Sequence, residues 1–224
     1  MPAYRSSAEA EVRDAAIARL RAIRPASRII HEINVSGQGS NRIDLIAVGE
    51  AEIIAVEVKS AKDKLDRLPA QVQAMRGVAH HSIVAMHEKF LIESETNRFA
   101  AHCERDGKFF RSDVPKIAND ASVWVYLETK RAIGEYDGYF PWPGAPYAAQ
   151  TSLPSGALWM LWRDEMYELC SKLRINVSRR STMTDMSRDL RWLANGGELT
   201  KGICAALRAR QCIEADPVSE AMGA

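Results

Sequence analysis

N41-R42-I43-D44-L45-I46-A47-V48 and A55-V56-E57-V58-K59-S60 decide how this chain is read. In the first segment an aspartate closes a polar loop and opens an apolar run. Thirteen residues later, Glu57 and Lys59 interrupt a second apolar run. Residues two apart on a strand face the same way. Ala55, Glu57 and Lys59 therefore share one face, while Ile54, Val56 and Val58 share the other and can enter a core. A buried charge without a partner is costly, so these charged residues inside strands need a reason to be there.

A divalent-metal site is the best such reason. An Asp and a Glu give hard oxygen ligands suited to Mg²⁺ with several waters retained. Asp44 completes the cluster if its strand pairs with that of Glu57 in suitable register. Lys59 can hold an attacking water or stabilise charge developing on a phosphoryl group, and the metal would activate the water and neutralise the phosphate. The plainer alternative is an edge-strand ion pair of Glu57 with Lys59, with Asp44 in a turn. The runs I53-I54-A55-V56 and L45-I46-A47-V48 argue instead for central strands.

Outward from these segments the pattern is regular. Val12, Ala16, Ile17 and Leu20 recur at a helical period over 8–24, with Ser7 to cap the start and Pro25 to mark the stop. Residues 28–35 read as a strand. The loop S36-G37-Q38-G39-S40 leads to a second strand at 42–48, and a turn at Gly49-Glu50 to a third at 52–59. Short connections make the three an antiparallel meander. Pro69 suits the first turn of a helix reaching about Ala79, because its missing N–H costs nothing there. S82-I83-V84-A85-M86 reads as a buried strand. The order α-β-β-β-α-β predicts an α/β fold with helices packed on a central mixed sheet.

Beyond residue 90 the pattern is weaker, with short strands expected near 107–112 and 121–127. Y136-D-G-Y-F-P-W-P-G-A-P-Y147 suggests a crossing between two modules. Helical segments follow near 157–173, 182–195 and 198–210, with Gly196-Gly197 as the turn between the last two and Thr182 as a cap. The expected organisation is a first domain at 1–133, a Pro/Gly/aromatic linker at 134–156, a small all-helical domain at 157–213 and a flexible tail at 214–224.

Asp44, followed after thirteen residues by Glu57-Val58-Lys59 at the end of a strand, resembles the PD-(D/E)XK nuclease superfamily, which includes restriction enzymes, Holliday-junction resolvases and RecB-like nuclease domains. The predicted αβββαβ order matches that superfamily's restriction-endonuclease-like core over roughly residues 8–90. Ile43 stands where the motif has proline. The stretch E57-V-K-S-A-K-D-K-L-D-R-L-P-A-Q-V-Q-A-M75 is similar to small, poorly characterised bacterial and phage members. The resemblance implies that Asp44 and Glu57 bind Mg²⁺ or Mn²⁺ with the Val58 carbonyl as a further ligand, and that Lys59 is the catalytic lysine. It also implies an acid on the first helix, matched to Glu11 near the Ala15–Ala18 ridge with Glu9 as competitor. A glutamine on the following helix is matched to Gln71; Gln73 faces elsewhere.

Charge and composition set the remaining bounds. The chain has 224 residues, 46% of them apolar, and a net charge of +1. Residues 1–157 hold twenty basic and twenty acidic side chains, whereas 158–210 hold ten and six. That mild basic excess permits nucleic-acid contact without requiring it. Cys103, Cys170, Cys204 and Cys212 lie far apart, in neither a disulfide framework nor a zinc pattern. No signal segment or membrane span is legible, so a reduced cytoplasmic protein is expected.

Other groups carry two readings each. Lys62, Lys64 and Arg67 can border a cleft and meet phosphates, which position substrate without reading sequence, or form a solvated loop with Asp63 and Asp66. Ser60 can orient Lys59 or end the strand. His31, His80 and His81 read as structural or surface histidines. Tyr136, Tyr139, Phe140, Trp142 and Tyr147 can stack on bases or plug two modules together, and Trp159 and Trp162 read as core. Arg174, Arg179, Arg180, Arg188 and Arg191 allow the C-terminal helices to bind DNA, and protein binding or homodimerisation is as readily accommodated. The expectation is a metal-dependent deoxyribonuclease. The alternatives are a nuclease-like fold that binds DNA without cutting it, and a structural or regulatory protein-interaction module.

Overall fold

A computed structural model describes residues 6–35, 42–127, 151–212 and 215–216. The loop at 36–40, the aromatic stretch at 136–147 and the tail beyond 216 lie outside the described residues.

The first helix, α1 (Ser7–Ile23), is capped by Ser6 rather than Ser7: the Ser6 hydroxyl accepts the Glu9 amide at 3.2 Å. Strands β1 (Arg28–Asn34), β2 (Arg42–Val48) and β3 (Ile53–Lys59) form the expected antiparallel meander. Helix α2 (Leu68–Arg76) carries Pro69 in its first turn, and β4 (His81–His87) returns parallel to β3. After an excursion, β8 (Ser122–Tyr126) adds parallel to β4, closing a mixed sheet of order β1-β2-β3-β4-β8.

The excursion is a second antiparallel sheet of β5 (Ile92–Thr96), β6 (Cys103–Arg105) and β7 (Lys108–Asp113), in the order β5-β7-β6. Only β7 has a counterpart in the sequence reading. Strands β5 and β6 are exposed and lack apolar alternation, so they carry no period-2 signal. Each pairs with β7, and ion pairs add to the sheet: Lys108 of β7 with Glu95 of β5, and Arg105 of β6 across β7 with Glu93 of β5.

Each face of the main sheet is covered. Val12, Ala16 and Leu20 of α1 pack on Ile29, Leu45, Ile54, Val56 and Ile83. The opposite face takes α2 through Leu68, Val72 and Met75, and the same cluster continues into Leu158, Leu169, Leu190, Ile203 and Leu207. The C-terminal helices therefore share the core of the sheet. Polar ties reinforce this: the Arg28 guanidinium donates to the carbonyls of Leu207 at 3.0 Å and Arg208 at 2.8 Å, and the Leu153 amide donates to Thr200 at 2.9 Å.

The segment expected as one helix over 157–173 is split. A 3-10 turn at Ser155–Met160 is followed by extended Leu161 and Trp162, then by α3 (Arg163–Lys172). The break is held by Arg210, which donates to the Met160 carbonyl at 2.7 Å, and by Glu165, which accepts the Trp162 amide at 2.7 Å. Thr182 caps α4 (Met183–Leu193) as expected. Gly196 and Gly197 are the first residues of α5 (Gly196–Ala209), with Asn195 as the cap. A Cβ at Gly196 would collide with the Ser152 side chain, so glycine there answers a close approach of chain.

Candidate functional site

The site lies where the ladders around Asp44 are interrupted. Pairing of β1 with β2 runs His31 to Leu45 and then Ile33 to Ile43, stepping over Glu32 and Asp44. Pairing of β2 with β3 reaches Leu45 with Val56, one step short of Asp44 with Glu57. In place of a ladder bond, the Val58 amide donates to Oδ2 of Asp44 at 2.9 Å. The two carboxylates expected from sequence are thus neighbours on adjacent central strands.

Glu57 is 2% exposed. Its Oε1 accepts the Lys59 ammonium at 2.7 Å and also the Gln71 side-chain amide. Lys59 Nζ in turn donates to Gln71 Oε1 at 2.9 Å. Gln71 reaches the strand from α2, because Ala55, Glu57 and Lys59 face that helix. Glu57 Oε2 is buried and accepts no hydrogen bond, while the Glu57 carboxyl lies within hydrogen-bonding reach of the Asp44 carboxylate, a bond the protonated form can make. Burial, then the neighbouring charge of Asp44, push the Glu57 carboxyl up to about 8 against the pull of Lys59. Asp44 is also raised, again by burial, although the Val58 amide and Arg13 oppose the shift.

These groups line a cavity of about 260 Å³ together with Glu9, Lys64 and Arg67. Lys64 and Arg67 are exposed at its rim, where Asp63 and Asp66 also contribute. Lys62 is exposed and is not part of the lining. Ser60 ends β3 and shapes the loop: its amide and hydroxyl donate to Asp63 Oδ2 at 2.7 and 2.6 Å.

Of the two acids near the start of the first helix, the structure brings Glu9 to the cavity and leaves Glu11 outside it. Glu11 is exposed, whereas Glu9 is buried and lines the cavity. The buried stripe of α1 runs through Val12, Ala16 and Leu20, and Glu9 lies on it one turn before Val12. The Ala15–Ala18 ridge used to favour Glu11 is not that stripe, since Ala18 is exposed.

Two further site residues have weaker sequence signals. Arg13, 1% exposed, donates to Glu9 Oε1 at 2.7 Å, Glu32 Oε1 at 2.8 Å and the Asp44 carbonyl at 3.1 Å. It also lies 3.5 Å from Asp44 Oδ1. The spacing of Glu9 and Arg13 is an ordinary helical i,i+4 pair, which was the available signal. Glu32 had none: its backbone holds φ 55 within a strand, and its carboxylate accepts Arg13.

The histidines serve other places. His80 Nδ1 accepts the Ile53 amide at 3.1 Å, and His81 lies 3.1 Å from Glu52 Oε1. His31 is buried on β1. Arg179 and Arg180 are exposed between α3 and α4. Trp159 is half-buried, while Trp162 is more than half exposed and carries the Arg210 guanidinium 4.4 Å over its ring.

Among the described residues no group of three or more His, Cys, Asp or Glu side chains is arranged to hold a metal ion. The residues present still suit a hard divalent ion that keeps water: two adjacent carboxylates, one with a buried oxygen lacking a partner, and no soft donor. Among the described residues no helix is long and apolar enough to cross a membrane.

A family model described as Bacteriophage P4 protein cII matches residues 3–97. That span holds α1 through β5 and every residue lining the cavity, and leaves out the C-terminal helices. No curated protein and no solved structure matches the chain.

Proposed function

We propose that this chain is a metal-dependent deoxyribonuclease of the PD-(D/E)XK kind, hydrolysing phosphodiester bonds with water. The observation that carries the reading is Glu57: a buried carboxylate with one oxygen unpartnered, beside Asp44 and Lys59 in a cavity rimmed by Lys64 and Arg67. Two acids buried side by side carry a cost that Lys59, Gln71 and the raised Glu57 carboxyl offset only in part. Strongly shifted carboxylates in a cleft are a recognised mark of functional sites.

Asp44, Glu57 and the Val58 carbonyl would hold Mg²⁺ or Mn²⁺. The bound ion supplies charge neutralisation at the phosphate and acidifies a water. Glu57 must lose its proton to act as a ligand, so binding is favoured by rising pH. Lys59, kept in place by Gln71, would donate to the attacking water or to a phosphoryl oxygen as negative charge develops. Gln71 orients the lysine and steadies Glu57, and Glu9 forms the wall facing them. Lys64 and Arg67 would take phosphates flanking the scissile one. Arg179 and Arg180 leave the C-terminal helices open to DNA or to a protein partner, a second copy of this chain included. The reading places the protein in the cytoplasm.

The test is cleavage of labelled duplex, single-stranded, flap and four-way-junction DNA with Mg²⁺ or Mn²⁺, beside the Lys59→Ala protein. Cutting that disappears in the variant and in EDTA supports the enzyme and narrows its substrate. Tight DNA binding without any cutting would instead favour a non-catalytic DNA-binding module. Loss of binding as well would turn attention to a protein-partner role.

A further inference from the structure

We propose that Arg13 is a positioning residue of this centre: clamped by Glu9 and Glu32, its guanidinium fixes Asp44 in the orientation the site uses. The proposal rests on the nuclease reading for its purpose, but its geometry stands apart from it.

Two costs meet at this point. Arg13 is among the largest fully buried side chains, and a buried ion network is often no more stable than apolar packing of the same volume. Glu32, a non-glycine residue inside a strand, holds φ 55, a sparsely populated conformation that persists only when its surroundings enforce it. Both costs serve the same contact. The turned backbone brings Glu32 Oε1 to Arg13 at 2.8 Å, while Glu32 Oε2 lies 2.6 Å from Arg42.

The guanidinium is the right instrument. Its donors leave in fixed, planar directions, so it can contact several acceptors at once without moving. Arg13 reaches one carboxylate on its own helix, one on β1 and, on β2, both the main chain and the side chain of Asp44. Asp44 is then held at three points: Arg13 Nη1 donates to its carbonyl, the guanidinium charge lies 3.5 Å from Oδ1, and the Val58 amide donates to Oδ2. Because Asp44 is stepped over in the strand ladders, these contacts do the work that regular pairing does elsewhere. A lysine here would lack the fork geometry.

The experiment uses the full chain as wild type and as Arg13→Met, Arg13→Lys and Glu32→Gln. Thermal unfolding reports stability, the amide resonance and hydrogen exchange of Val58 report whether the Asp44 carboxylate is still docked, and titration with Mn²⁺ reports the site. We expect folded variants in which the Val58 amide shifts and loses protection. Their Mn²⁺ affinity should fall ten- to a hundredfold, the usual effect of removing a group that orients a ligand. Arg13→Lys should recover only part of it. A loss of stability with the Val58 amide and Mn²⁺ affinity unmoved overturns the proposal, because Arg13 would then be structural only. If the wild type neither binds Mn²⁺ nor cuts DNA, the nuclease reading falls. The Val58 amide still decides whether Arg13 holds Asp44.

Discussion

Lys59 Nζ lies 2.7 Å from Glu57 Oε1, a buried ion pair between two residues on one face of one strand. The pair satisfies half of the carboxylate and leaves Oε2 buried without a partner. Lysine compensation therefore does not offset burial, and the carboxyl of Glu57 sits near 8.

Glu57 should make stability fall with rising pH. Its folded value lies above its ordinary value of 4.5, so the fold favours the protonated form. The resulting stabilisation is fully present below about 4.5 and is lost as pH rises through about 8. Asp44 is shifted in the same direction. Glu57→Gln removes the ionisation while keeping the shape. In urea melts from pH 5 to 9 it should gain on the wild type as pH rises, by on the order of a few kcal/mol. Parallel curves would show that Glu57 is ionised throughout in the folded protein.

Metal affinity should follow the same group with the opposite sign. A ligand that must first lose a proton binds a cation more tightly as pH increases. Below about 8, Mn²⁺ affinity of the wild type should rise roughly tenfold per pH unit for one released proton, and level off above it. Isothermal titration in two buffers of different protonation enthalpy reads the proton release directly. A flat affinity from pH 6 to 9, in a protein whose urea melts show Glu57 titrating over that range, would remove Glu57 from the ligand set.

The strand pair carrying the site was legible because both apolar runs are long enough to fix their ends, and β2 and β3 fall where those runs do. Alternation then put Glu57 and Lys59 on one face, and the register supplied Asp44. The acid on α1 was harder. Glu9 and Glu11 are both near the helix start, and only the packed stripe through Val12 and Ala16 separates them. Arg13 had an i,i+4 partner but no sign of its long-range role. Glu32 reaches the network through one unusual backbone dihedral, which residue spacing does not encode. The same limit hid β5 and β6, each of which pairs with β7 through backbone and charge without an apolar face.

At the other end of the sheet, Glu52 should control acid stability. Burial raises its carboxyl, but the bonds to His81 and Arg24 outweigh burial and bring it down to about 2. A depressed carboxylate contributes stability that is present above its ordinary value of 4.5 and is lost as pH falls toward 2. Glu52→Gln should cost about 2–3 kcal/mol at pH 7 and remove most of the acid-dependent loss between pH 4.5 and 2. Thermal unfolding across that range checks it, and a variant as acid-labile as the wild type would move the effect to other carboxylates.

Gly202 should resist substitution by the best helix former. It lies within α5 with a Leu169 methyl of α3 so close that a Cβ would overlap it. Alanine gains about 1 kcal/mol in helix propensity, while forcing a methyl into packed core costs about 1–3 kcal/mol. Leu169 is buried, and its methyl must shift within the α3–α5 contact to admit a Cβ. Gly202→Ala should therefore lose stability, by roughly 1 kcal/mol, and Gly202→Val should lose more. A stabilised Gly202→Ala protein in denaturant melts would show that the α3–α5 crossing can open at no cost.

Lys64 and Arg67 should carry part of the DNA affinity and its salt dependence. Each phosphate neutralised by a side chain adds about one to the slope of affinity against salt. Both residues are exposed at the cavity rim, and Lys62 is exposed beyond it. Lys64→Ala with Arg67→Ala should lower that slope by about two and weaken binding alike across sequences. The expected change for Lys62→Ala is smaller. Arg179→Ala with Arg180→Ala gives the contrasting arm, since those residues lie between α3 and α4, away from the cavity lining. A lowered slope in that variant places the C-terminal helices on DNA, and an unchanged one leaves them free for a protein partner. If the Lys64 and Arg67 variant keeps its slope, the cavity rim does not meet the phosphate backbone, and the path of DNA across the site must be redrawn.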